Sequence, residues 1–118
     1  DSCVTEVYGL GGMSSIAGPA YARFTGATFA DAKDRTEKAR AVSLGEHAFA
    51  PIPWDDFRGF PVGIDARKVV GYNILPISHG GSALKTGGQA GAGAAELPLE
   101  CFKAALRGIR DQALAAQQ

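Results

Sequence analysis

Residues 79–93, HGGSALKTGGQAGAG, place an imidazole (His79), an ammonium (Lys85) and a carboxamide (Gln89) among Gly80, Gly81, Gly87, Gly88 and two further glycines. An imidazole binds or transfers protons near neutral pH, and a lysine offers a point charge to a carboxylate or phosphate. Glycines let backbone N–H groups turn toward an anion. The run lies between a β-branched apolar stretch and an amphipathic helical pattern, and in the order strand, glycine loop, helix the helix N-terminus adds its dipole. The expectation is therefore an anion-binding glycine loop with Lys85 as its main charged contact. The run has neither the Walker nor the dinucleotide glycine order, and a plain surface loop is the competing reading.

Other candidates carry less chemistry. Asp55, Asp56, Arg58, Asp65 and Arg67 form a mixed-sign cluster that could hold Mg²⁺ or do acid–base work, but neighbouring opposite charges more often make surface ion pairs. Ser14 and Ser15 follow glycines without a G-x-S-x-G elbow, so a serine nucleophile is not expected. His47 follows a helical pattern, where it would meet the helix dipole. Cys101, beside an apolar stripe, reads as a buried structural thiol. Cys3 and Cys101 lack metal or disulfide spacing and read as thiols of a reducing compartment. No metal cluster is visible, and the sequence calls for no cofactor.

These residues need a scaffold, and 118 residues suit one domain. Glycine alone supplies 16 residues, and with alanine it outnumbers the large apolar side chains, so backbones can approach closely and the expectation is a core left incomplete without another chain. Twelve basic residues balance twelve acidic ones, which leaves no electrostatic footprint for nucleic acid or an anionic membrane. With no apolar run of membrane-spanning length and no signal-peptide pattern, the expected location is cytoplasmic. A start without Met, inside what reads as a strand, suggests a fragment or processed chain.

Along the chain, CVTEVY (3–8) alternates like a strand and stops at a glycine turn. Pro19 can open a short helix. The near absence of charge before Asp31 predicts that this quarter is buried against something. Thr28 and Asp31 start a helix over 30–44, with Gly45 as its C-cap, Ala32, Ala39 and Val42 as its apolar stripe, and Arg40 among its water-facing charges. Residues 49–62, with three prolines and four aromatics, read as an irregular extended connection whose aromatics are covered. Residues 68–77 read as one strand or two. Leu99, Phe102, Leu106, Ile109 and Ala113 recur at helical spacing. The fold class expected is α+β or α/β: a few strands, two main helices and glycine-rich loops.

Several phrases run in order over nearly all of the chain: GLGG (9–12), AGPA (17–20), FRGFPVGIDARKVV (57–70), ILPI (74–77), QAGAG (89–93) and PLECF (98–102). Together they resemble the C-terminal part of the YlbE-type family, a domain of unknown function linked to a subunit of oxamate carbamoyltransferase. The family's members are several times longer, so the resemblance implies that residues 1–118 form the C-terminal portion, or one chain, of a larger α/β assembly. It implies a carbamoyltransferase-like activity on a small carboxylate-bearing ureide or amide. Lys85 and the loop N–H groups would hold anionic groups, Gln89 would orient a carbonyl or amide, and Arg58 and Arg67 would assist. Partners would be that small substrate and another protein chain, in a hetero- or homo-oligomer. The family's Asn-Thr-Gly-Ile-Ala phrase is replaced here by HGGSA (79–83), which implies an altered substrate or chemistry at His79. Two rival functions remain: a non-catalytic chain completing the core of a larger partner, and hydrolysis of a cyclic amide with His79 as base.

Overall fold

The computed structural model describes residues 2–118 and begins with a helix, α1, over Cys3–Tyr8. The strand expected there is overturned by its two ends. Ser2 caps the helix by accepting the Thr5 N–H, and Gly9 ends it at φ 106°, a left-handed conformation open to glycine. A Cβ at Gly9 would also lie 1.8 Å from the carbonyl oxygen of Pro61. Glycine here is thus demanded twice, by conformation and by the approach of a neighbouring strand.

A kinked 3₁₀ segment, Gly12–Ala17, follows, and Pro19 opens α2, Pro19–Phe24, as its sequence suggests. Helix α3 spans Phe29–Val42 behind a full capping box, in which Thr28 and Asp31 bond reciprocally. It ends at Ser43, whose N–H reaches the Arg40 carbonyl, so Gly45 is no C-cap and instead opens a strand. Ala32, Ala39 and Val42 are buried as the stripe predicts, and Thr36 and Arg40 join them. Thr36 Oγ1 accepts the Ile16 N–H at 3.1 Å, which docks the 3₁₀ segment on α3.

Residues 49–62 are not an irregular connection. Strands β1, Gly45–Ile52, and β2, Arg58–Val62, pair antiparallel, with an irregularity between Glu46 and Pro51. Their turn is made by Asp56 and Phe57 at φ 51° and 56°, and no glycine marks it. Phe49, Trp54 and Phe57 are largely exposed rather than covered. Of the stretch expected as strand over 68–77, the first half lies in α4, Ala66–Tyr72, capped by Asp65, which accepts the Arg67 N–H at 3.0 Å, and strand begins only at Ile77. The Arg67 guanidinium beside Asp65 holds that carboxyl down to about 2.

Strands β3, Ile77–Ala83, and β4, Gln89–Glu96, form a second antiparallel ribbon, and α5, Leu99–Ala115, closes the chain. The α5 helix is as the periodicity predicts, yet none of its residues is buried, and Cys101 is exposed rather than a core thiol. The N-terminal quarter divides likewise: Met13, Ile16 and Ala22 are buried, while Val4, Val7, Leu10 and Phe24 face outward. The architecture is α+β, two separate two-stranded sheets with helices around a small core. Its radius of gyration is 16.0 Å, against roughly 13 Å for a compact domain of about 100 residues. No helix of the described residues is long and apolar enough to cross a membrane.

Candidate functional site

The glycine-rich segment is a strand pair, not a loop around an anion. Ile77 faces Glu96, His79 faces Ala94 and Gly80 faces Gly93 in the ribbon, so most of its N–H groups serve the ladder or its open edge. This contradicts the loop expectation, and the physical reason is that glycine and alanine also suit two close, unencumbered strands. Only residues 84–88 form the connecting turn, with Gly87 and Gly88 at φ 93° and 81°.

The ribbon separates the candidates. Lys85 stands exposed at its tip, and Gln89 donates to the Gly91 carbonyl at 3.1 Å. Arg58 is bound to Glu37 and Glu46, and Arg67 to Asp65. Asp55 pairs with Arg40 at 2.6 Å, both side chains buried, so the expected surface cluster includes one interior ion pair. His47 is buried among Tyr8, Phe49 and Phe60 rather than set against a helix end. Among the described residues no three His, Cys, Asp or Glu side chains gather as a metal centre would need.

His79 is different, because it is buried on a cleft of about 420 Å³. The cleft walls include Glu6, Leu10, Ser15, Tyr21 and Phe60, with Gly11 and Gly18 adding backbone. Gly12 explains how Ser15 reaches His79 across 64 residues of sequence: a Cβ at Gly12 would lie 2.4 Å from the Ile77 carbonyl oxygen. Only glycine lets the 3₁₀ segment run this close to the start of β3. Glu6 Oε2 accepts the Gly12 N–H at 2.8 Å and holds the approach from the other side. The Tyr21 ring packs against His79 at a tilt of 51°, centroids 5.2 Å apart. Sequence reading set Ser15 aside and did not single out Glu6 or Tyr21; the one available signal was the run of glycines at 9, 11 and 12.

Hydrogen bonding dictates the imidazole's state. Ser15 Oγ donates its single proton to the Gly12 carbonyl at 2.7 Å, so in its 3.4 Å contact with His79 Nε2 the hydroxyl accepts. Nε2 then carries a ring proton, and in the neutral ring Nδ1 keeps the lone pair. Burial pushes the His79 imidazole below its usual value, Glu6 pulls the opposite way, and Arg35 adds to the lowering. The burial favours the neutral ring, the form that can accept a proton. Ser15→Ala should release the tautomer: ¹⁵N imidazole shifts, simple to read with two histidines in the chain, should move from a pure Nε2–H pattern toward a mixture. An unchanged pattern would show that Ser15 does not set it.

No protein-family model matches the sequence. It is 38% identical over 114 residues to the oxamate carbamoyltransferase subunit AllG of Escherichia coli K12, covering 94% of this chain and 27% of that protein. It is 36% identical over 110 residues to the uncharacterized protein YahG of the same organism, covering 92% of this chain and 23% of YahG. The chain is a relative of these proteins. A crystal structure of a conserved protein of unknown function from Enterococcus faecalis V583 superposes with a TM-score of 0.82 at 34% identity, over 94% of this chain and 27% of that one. The chain therefore spans about a quarter of the length of the curated relatives it matches.

Proposed function

We propose that the chain is a portion or subunit, C-terminal as the YlbE-type resemblance implies, of a cytoplasmic carbamoyltransferase-like enzyme acting on a small carboxylate-bearing ureide or amide. The observation that carries this reading is a buried imidazole, pushed by that burial toward its neutral form, on the wall of a glycine-lined cleft. The relation to AllG supplies the reaction class. In carbamoyl transfer, a nitrogen attacks the carbamoyl carbonyl, loses a proton and displaces phosphate. His79 takes the proton that the attacking nitrogen sheds, a step for which a base neutral at working pH is suited. Backbone N–H groups around the cleft would stabilise the carbonyl oxygen as it gains charge. Lys85, Gln89, Gly80, Gly81, Gly87 and Gly88, carried on a ribbon that projects from the core, would meet anionic groups held jointly with a second polypeptide, with Arg58 and Arg67 assisting.

The extended shape and an α5 with no buried residue support that second polypeptide, hetero- or homo-oligomeric, and equally favour the rival reading of a non-catalytic chain that completes a partner. Incubating the native assembly with carbamoyl phosphate and oxamate, and separately with a panel of cyclic amides, separates these readings. Carbamoyl transfer is the expected result. Turnover of the cyclic amides alone would replace transfer with hydrolysis, and no turnover of either would leave the interaction role.

A further inference from the structure

We infer that the cleft between α3 and the α4–β3 connection binds a small carboxylic acid bearing an N–H donor at its other end, with Arg35 holding the carboxylate and Glu96 facing the donor. The cleft measures about 550 Å³ and shares no wall residue with the one that His79 lines. The inference goes beyond the transferase reading and does not depend on it. Asp31, Asp34, Arg35 and Lys38 enter from α3, where residues three and four apart are neighbours. Asn73, Ile74 and Leu75 line the cleft from the connection, together with Ile77 and Glu96, which face each other in the ribbon. Most of these charges are answered within the protein. Asp31 Oδ2 accepts the Thr28 N–H and hydroxyl at 2.8 and 2.7 Å, and Lys38 meets Asp34 at 2.7 Å. Arg35 and Glu96 remain. No nitrogen of Arg35 makes a hydrogen bond or ion pair with a described residue; Nη1 is enclosed without an acceptor, and Nε and Nη2 stay accessible. The Arg35 charge reaches Asp31 and His79 only through space, and Glu96 acts on Lys38 in the same way.

A partly buried guanidinium with no carboxylate beside it gives up hydration without gaining a charge-assisted bond. Its planar fork matches the two oxygens of a carboxylate. The rest of the wall limits how much negative charge can follow. One carboxylate can sit on Arg35, but a second, or a phosphate dianion, would face Glu96 with Lys38 already held by Asp34. Glu96 can only accept when ionised, so the far end of the ligand must donate, as an amine, amide or ureido N–H does. The Asn73 carboxamide both donates and accepts, and Ile74, Leu75 and Ile77 offer apolar surface to the ligand's body.

Succinamate, succinamide and succinate share one carbon skeleton and differ only at their ends: an acid with an amide, two amides, and two acids. Titrated in neutral buffer into the ¹⁵N-labelled full chain, succinamate should give saturable shifts at the amides of Asn73, Leu75 and Ile77 and at the Arg35 Nε–H. Succinamide, lacking a carboxylate, and succinate, with a charge against Glu96, should each need concentrations higher by about tenfold or more. Arg35→Gln should remove the advantage of succinamate over succinamide. Glu96→Gln, at an exposed position, should narrow its advantage over succinate and leave the carboxylate preference in place. The wild-type series and Glu96→Gln decide the matter even where Arg35→Gln does not fold. No saturable response at the cleft, or succinamide or succinate binding as tightly as succinamate, would overturn the inference. So would a folded Arg35→Gln chain with the wild-type preference, an unchanged succinate penalty in Glu96→Gln, or shifts centred on Lys85 rather than Arg35. Selective binding in an assembly without carbamoyl turnover would leave it standing and remove the transferase reading; turnover without selective binding at this cleft would do the reverse.

Discussion

His79→Ala is expected to lower kcat for the assembly's amide or carbamoyl substrate by about 10²–10⁴-fold, the range for losing a positioned general base. Substrate affinity should change much less, because the proton transfer is made in the transition state. The pH profile gives the sign. Burial lowers the imidazole's affinity for protons, so wild-type activity should persist below the pH at which an ordinary histidine, near 6.5, would be half protonated. It should fall only when His79 itself gains a proton. Stability follows the same linkage: above the unfolded chain's value near 6.5 both folded and unfolded chains hold a neutral ring. Below it the unfolded state takes the proton first, and stability declines as pH falls. A His79→Ala assembly with wild-type kcat and an unchanged acid limb would exclude His79 from the chemistry.

Arg40→Ala is expected to destabilise the fold by about 3–5 kcal/mol, the range for stranding one member of a buried ion pair. Arg40 lies beneath the β1–β2 hairpin with its side chain 4% exposed, 2.6 Å from Asp55 and 2.9 Å from Glu37. It also donates to the Gly59 carbonyl from Nε and Nη2, at 3.3 and 3.1 Å. Gly59 is there because a Cβ would lie 2.0 Å from the His47 carbonyl oxygen, so the guanidinium ties α3 to the point where the two strands come closest. Truncation leaves the Asp55 carboxylate, 5% exposed, without its cation. Thermal midpoints should fall by on the order of 10 °C for a domain of this size. Arg40→Met combined with Asp55→Leu should recover much of the loss, since well-packed apolar replacements of a buried pair are often tolerated. A double variant as unstable as Arg40→Ala would assign the effect to lost packing instead.

Where the chemistry of a segment was local, the sequence was enough. The Thr28–Asp31 box, Pro19 as a first helical residue and the apolar spacing of α5 each act within one turn of helix, and the structure has all three. The sequence allowed α+β beside α/β, and two separate antiparallel ribbons make the fold α+β. Where two periodicities competed, tertiary contacts decided. Alternating CVTEVY became helix because Ser2 and Gly9 cap it and Gly9 lets Pro61 approach, and KVVGY (68–72) became helix behind Asp65. Glycines 80 to 93 were equally compatible with a cradle for an anion and with a pair of strands, because a residue without a side chain records close approach and not what approaches. That Ser15, Tyr21 and Glu6 meet His79 depends on one such approach, Gly12 against Ile77, made between segments more than sixty residues apart. In the sequence such a contact shows only as the glycines at 9, 11 and 12, and only the folded chain brings these groups to one cleft.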